Sequence, residues 1–194
     1  MSLVIFDLGD VIMLGFRSLK QMAEEFGIDV DEFKADYKSY NAALMDGWCT
    51  TADYYRHLEI KYGVKINTEL FIEGGYNPVI NVYLMDKVEA LSKAGHRVVI
   101  GSNTFECYDR WNRENLPILY DSFSNIYLSY LIHRCKPDAS FWLYIMEKEG
   151  FEPKDTYFID DRNENVDTAV SLGITTLLYD GDNEKAEKFL NSLF

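Results

Sequence analysis

Leu3-Val4-Ile5-Phe6 is an unbroken apolar run near the start of the chain, followed at once by Asp7-Leu8-Gly9-Asp10. A short run with no polar alternation reads as a strand buried on both faces, and Gly9 is the residue a tight exit turn would use. After the apolar stretch 12–16 the pattern becomes helical. Leu19, Met22 and Phe26 share one face of a helix that Gly27 stops, and Phe33, Tyr37 and Leu44 share the face of a second, ending near Asp46-Gly47. Thr50-Thr51-Ala52-Asp53 has the form of a capping box opening a third helix, with Tyr54, Leu58 and Tyr62 on one side and Gly63 as its stop. A fourth, weaker helix is expected from Asn67. No strand is expected between about 16 and 80, so this stretch reads as a small helical bundle whose aromatic stripes form its own core.

Asn77-Pro78 marks the return point, and from there helix and strand alternate. Leu84, Val88 and Leu91 predict a helix, followed by the strand Arg97-Val98-Val99-Ile100. A strand lies within Phe123 to Leu131. A helix through Phe141, Ile145 and Met146 stops at Gly150. Then come the strand Thr156-Tyr157-Phe158-Ile159, a helix from Val166 to Leu172, a strand from Thr175 to Tyr179, and a helical tail from Asn183. Short apolar strands separated by helices predict an α/β, Rossmann-like, doubly wound parallel sheet. The expected organisation is a core of residues 1–15 plus 80–194, with residues 16–79 inserted as a helical unit.

In such a sheet the chemistry belongs at the C-terminal ends of the strands. Asp7 falls there, and so does Ser102-Asn103, whose hydroxyl, amide and following backbone N–H groups suit a phosphate oxygen. Lys136, kept out of helical geometry by Pro137, sits on the loop before the next helix and is placed to act as a point charge between a carboxylate and a phosphate. Asp160-Asp161 ends the fourth strand, and two adjacent carboxylates there repel unless a cation lies between them. Magnesium suits such a site, being a hard ion with oxygen ligands that takes few carboxylates. Each piece alone also reads as a cap, a turn or a solvated lysine. Their meeting on one rim is what caps alone do not explain.

The net charge of −13 argues against nucleic acid or an anionic membrane as partner, while leaving room for a small phosphorylated metabolite at a locally positive site. No segment approaches the length of a membrane helix, and the N-terminus has no signal-peptide pattern, so a cytoplasmic location is expected. Cys49, Cys107 and Cys135 match no metal spacing and read as free buried thiols in a reducing compartment. His57, His96 and His133 share no spacing and read as structural or exposed. Trp48 and Trp111, the latter in the loop after Ser102-Asn103, are expected to border the mouth of the site.

Phe6-Asp7-Leu8-Gly9, Ser102-Asn103, Lys136-Pro137 and Asp160-Asp161 with Asn165, in this order, resemble the four motifs of the haloacid dehalogenase (HAD) superfamily. The inserted helices look like that family's C1-type cap. Asp7-Leu8-Gly9, Ser102-Asn103-Thr104 and Ile126-Tyr127-Leu128-Ser129 look most like the subgroup of bacterial alpha-D-glucose-1-phosphate phosphatases. The resemblance implies a magnesium-dependent phosphatase in which Asp7 is the nucleophile, forming an aspartyl-phosphate. Magnesium would be held by Asp7, the Gly9 carbonyl and the Asp160-Asp161 pair. Ser102 and the backbone at Asn103 would hold the phosphoryl oxygens, and Lys136 would neutralise both nucleophile and phosphate. One departure stands out. Most phosphatases of the superfamily carry an acid/base Asp two residues after the nucleophile, where this chain has Gly9; Asp10 lies one residue further on. Losing such a group costs ~10²–10⁴-fold, but a good leaving group such as an anomeric sugar oxygen needs less protonation. Two alternatives stay open: a 2-haloacid dehalogenase, and a catalytically weak HAD-like binding or regulatory protein.

Overall fold

The structure is a computed structural model that describes residues 1–15, 19–73 and 76–194. Strand β1 (Leu3–Phe6) leads through a turn to the two-residue β2 (Met13–Leu14). Helices α1 (Leu19–Glu25), α2 (Val30–Met45) and α3 (Thr51–Tyr62) follow, then a two-residue β3 (Val79–Ile80). The alternating part runs α4 (Val82–Lys93), β4 (Arg97–Ser102), α5 (Glu106–Asn115), α6 (Pro117–Asp121), β5 (Asn125–Leu128), α7 (Ser129–Ile132) and α8 (Ala139–Glu149). It ends with β6 (Thr156–Asp160), α9 (Asn163–Ser171), β7 (Thr175–Leu178) and α10 (Asn183–Asn191).

Five strands form one parallel sheet in the order β5-β4-β1-β6-β7, the doubly wound α/β architecture that the sequence predicts. β1 is central, and its alternation feeds two cores. Val4 and Phe6 pack with Leu84, Val88, Leu91 and Leu190 on one face, while Leu3 and Ile5 pack with Phe141, Trp142, Ile145 and Phe158 on the other. All four β1 residues are fully buried, as an uninterrupted apolar run requires. Gly101 allows this packing to close: a Cβ there would meet Ile5 on β1 and Ile145 and Phe141 on α8 at 2.8–3.2 Å.

The helices between the two short strands bury a third cluster, including Met22, Phe33, Leu44, Tyr54, Leu58 and Phe71, which also takes in Phe105 and Cys107 beyond β4. The Thr50 capping box forms, with Thr50 Oγ1 accepting from the Asp53 N–H at 3.1 Å and Gly63 closing α3 at φ 66°. Asp36 on α2 is buried and takes Lys61 Nζ at 2.7 Å and His57 Nε2 at 2.9 Å from α3.

Four readings change. The helix expected from Asn67 is a single turn, with the Glu69 carbonyl accepting from Ile72 and Glu73; it turns the adjacent Leu70 and Phe71 both inward. The stretch expected to lack strands contains β3, antiparallel to β2, with Met13 opposite Ile80 and Leu14 opposite Val79. The start set at residue 16 lies outside the described residues. The loop expected around Trp111 is helix α5, hidden from hydrophobic patterning because its buried face is partly polar. Asp109 and Asn112 face inward and are met by Arg113 and the hydroxyls of Tyr76, Tyr120 and Tyr130. Finally, all three cysteines are free, but only Cys107 is buried.

Among the described residues no helix is long and apolar enough to cross a membrane.

Candidate active site

Register sets the rim. Phe6 pairs with Ile100 on one side and Ile159 on the other, so one step further Asp7 stands level with Gly101 and Asp160. The Asp7 N–H donates to the Ile159 carbonyl at 2.9 Å, extending sheet pairing to the carboxylate-bearing residue. The chain then turns sharply, with the Leu8 carbonyl accepting from both Ile12 and Met13. The left-handed position in this turn is Asp10 (φ 54°), not Gly9; Asp tolerates that region better than most residues.

Lys136 reaches the rim from the loop before α8, its side chain 1% exposed. Its ammonium lies 2.8 Å from Asp7 Oδ1 and 2.6 Å from Asp160 Oδ2. Asn103 fixes that loop: its Oδ1 accepts from the Lys136 N–H at 2.9 Å and its Nδ2 donates to the Lys136 carbonyl at 2.7 Å. Asp160, fully buried, also accepts from the Arg162 N–H at 2.8 Å and from Asn165 Nδ2 at 2.9 and 3.0 Å. Both of its oxygens thereby have protein partners, and Asp161 beside it lines a cavity. Ser102 ends β4, buried beside the same cavity.

One oxygen from each of Asp7, Asp160 and Asp161 can be chosen so that all lie within 4.8 Å of one another. Three carboxylates against one ammonium leave excess negative charge, which acts on each group's affinity for protons. Burial pushes Asp7 up to about 6, although Lys136 pulls it down; Asp160 pushes it further up. Burial, then the Asp160 charge, raises Asp161. Lys136 is raised because Asp7 and Asp160 outweigh its burial, so it stays charged. An all-oxygen donor set with surplus negative charge fits a hard divalent cation.

Asp7, Gly9, Ser102, Asn103, Lys136 and Asp161 all line one cavity of about 230 Å³, with Asp160 behind it. Family-model comparison matches residues 1–173 to the haloacid dehalogenase-like hydrolases. The chain belongs to that family.

Two HAD structures are close in fold. A HAD family enzyme from Bacteroides thetaiotaomicron, solved as a magnesium complex, superposes with a TM-score of 0.80 at 26% identity, covering 94% of this chain and 95% of that one. A predicted HAD-like hydrolase from Porphyromonas gingivalis gives 0.81 at 25% identity, covering 94% and 93%. Flavin mononucleotide hydrolase 1 of Arabidopsis thaliana is 34% identical over 83 residues, which is 38% of this chain and 34% of that protein. The chain spans about a third of the length of the curated relatives it matches.

Within this HAD hydrolase the tryptophan expectation fails, since neither residue is among the described lining of the cavity. Trp48 is 75% exposed and stacks on His133, while Trp111 packs edge-on against Tyr76. The histidines serve structure: His57 meets Asp36, His96 the Leu193 carbonyl and His133 the Asp46 carbonyl. What sequence reading passes over is the opposite wall. Tyr37, Asn41 and Met45 of α2, with Tyr76, Tyr108 and Asn112, close the cavity. The i, i+4, i+8 spacing on α2 was the available signal, but Tyr37 also carries the stripe that packs the helical cluster.

Proposed function

We propose that the protein is a magnesium-dependent phosphatase of a small phosphorylated metabolite, a sugar phosphate, acting through an aspartyl-phosphate on Asp7. The observation that carries this reading is the Lys136 ammonium bridging Asp7 and Asp160, with Asp161 beside them at the cavity. Asp7, Asp161, the Gly9 carbonyl and Asp160 would hold magnesium. When bound, the ion supplies charge neutralisation for the phosphoryl oxygens.

An Asp7 oxygen attacks phosphorus in line, the P–O bond to the alcohol breaks, and water later hydrolyses the acyl phosphate. Lys136 keeps Asp7 ionised and offsets the phosphoryl charge. Ser102 and the backbone at Asn103 donate to the phosphoryl oxygens, while the Asn103 side chain holds Lys136 in place. Asp160 orients Lys136 from behind. Residues 16–79 act as a cap over the site.

The partial likeness to a flavin mononucleotide hydrolase supports phosphomonoester chemistry. The cavity volume lies below the ~300–1,000 Å³ of sites for drug-sized ligands, which favours an alcohol smaller than a flavin. The dehalogenase alternative has no use for Asp161. Three free thiols suit a reducing cytosol, and the net charge of −13 disfavours a nucleic-acid partner.

The test is phosphate release from a panel of sugar phosphates and p-nitrophenyl phosphate, with and without magnesium, for wild type and Asp7→Asn. Magnesium-dependent release that falls at least ~10³-fold in Asp7→Asn is expected. Release that survives the substitution would overturn the mechanism; no release at all from wild type would favour the binding or regulatory reading.

A further inference from the structure

The helix face across the cavity from Asp7 carries a polar group that the protein leaves unused. Tyr37 lies on α2, and Asn41 and Met45, one and two turns on, line the cavity with it, so this face of the helix looks inward. The Tyr37 ring is anchored in the helical cluster, its centroid 6.1 Å from that of Tyr54 and 5.9 Å from that of Phe71. A ring held there meets the cavity with its far end, the hydroxyl. Among the described residues that hydroxyl has no hydrogen-bond partner, yet it is not closed to solvent as the Tyr54 and Tyr62 hydroxyls are. Tyr76, on the same cavity, gives its own hydroxyl to Asn112 Oδ1 at 2.9 Å. A tyrosine hydroxyl this far from bulk water ordinarily has such a partner. Burial, then the neighbouring Cys107, pushes Tyr37 up to about 12, so at neutral pH the hydroxyl keeps its proton and can both donate and accept.

The geometry of phosphoryl transfer decides which part of a substrate reaches it. Attacking and leaving oxygens lie roughly in line through phosphorus. An ester attacked by Asp7 therefore points its leaving alcohol away from the strand ends, toward α2, while the phosphoryl oxygens stay with Ser102, Asn103 and Lys136. We propose that Tyr37 is a specificity-determining residue of the site: its hydroxyl hydrogen-bonds a free hydroxyl on the leaving alcohol, so that polyhydroxylated esters are chosen over those lacking that group. This rests on the phosphatase reading above and adds to it the residue that reads the alcohol.

Tyr37→Phe removes the hydroxyl and keeps the ring that packs against Tyr54 and Phe71. The test sets kcat/KM for the best-hydrolysed sugar phosphate of a panel beside the values for its singly deoxygenated analogues, in wild type and in Tyr37→Phe. In wild type one analogue is expected to lose about tenfold, as for one lost neutral hydrogen bond. Tyr37→Phe is expected to lose about as much on the parent ester, and to treat the parent and that analogue alike to within about twofold. An equal loss in Tyr37→Phe on the parent and on every analogue, or no loss on any, would overturn the inference while leaving the phosphatase reading intact. So would a wild type that hydrolyses p-nitrophenyl phosphate and no sugar phosphate. A wild type inert toward every ester would overturn both.

Discussion

The two walls of the cavity are built on different principles. On the sheet side, Asp7, Lys136 and Asp160 are 0–7% exposed, and the ion pairs and backbone donors described above leave their charged atoms little freedom. The Asp7–Asp160 spacing follows from strand register, which a single slipped residue would destroy, and Asn103 holds the Lys136 loop against both. On the α2 side, Tyr37, Asn41 and Met45 are half-buried, and their place depends on how one helix lies against the rest. The acidic rim is thus set by sheet pairing and side-chain hydrogen bonds, whereas the opposite wall is set by helix docking.

The largest effect should come from Lys136→Met. Removing the ammonium leaves two buried carboxylates facing each other, and breaking a buried ion pair in this way costs about 3–5 kcal/mol. Urea denaturation without metal should register that loss, and phosphate release should vanish. Magnesium should restore part of the stability and none of the turnover. A variant as stable as wild type in the absence of metal would mean that the two walls do not differ as described.

Gly47→Ala attacks the other wall. Gly47 follows α2 at φ 72°, and a Cβ there would collide with the Tyr130 carbonyl after β5. Strain at positive φ adds to that clash, for a cost of about 1–3 kcal/mol. Shifting the end of α2 should raise KM for a sugar phosphate several-fold, with kcat on p-nitrophenyl phosphate nearly unchanged. A fall in kcat on both substrates would show that the walls are coupled.

The smallest effect is one of pH. Burial raises Asp36, but hydrogen bonds from His57 and Lys61 outweigh it and hold the carboxyl below its ordinary value. A depressed folded value means stability that is present above the unfolded carboxylate value of about 4 and lost as pH falls through the folded one. Asp36→Asn should therefore be less stable than wild type at pH 7, with the gap in urea midpoint narrowing below about pH 4. A constant gap across that range would remove Asp36 as an acid-sensitive tie between α2 and α3.

The same contrast decides what was legible in the sequence. Leu3–Phe6, Arg97–Ser102 and Thr156–Asp160 announce themselves as apolar runs, and a polar residue directly after each has only one place to go. Ser102-Asn103, Lys136 and Asp160-Asp161 were therefore readable as one rim, and the family resemblance agreed. Helix α5 was not readable, because Asp109 and Asn112 on its buried face look like surface residues until Tyr120, Tyr130 and Tyr76 supply partners from distant parts of the chain. Asn41 was not readable either. Nothing in Tyr40-Asn41-Ala42 separates a residue facing bulk solvent from one on a cavity wall, since that depends on how α2 lies against the rest of the chain. The division of labour in Asn103, a side chain bracing Lys136 rather than meeting phosphate, likewise required a contact across 33 residues.

The β2–β3 ladder gives the chain a property of a different kind. Met13 opposite Ile80 and Leu14 opposite Val79 bring the outgoing and returning strands side by side, and Asn81 locks the junction through its N–H to the Ile12 carbonyl and its Nδ2 to the Val11 carbonyl. Antiparallel partners stand only about 5 Å apart. Any polypeptide whose own ends meet at that spacing can be spliced there without straining the sheet, and the loop-closure entropy grows only slowly with its length. The ladder thus keeps the two ends of the intervening segment side by side, so that its length bears little on how β1 and β4 pair.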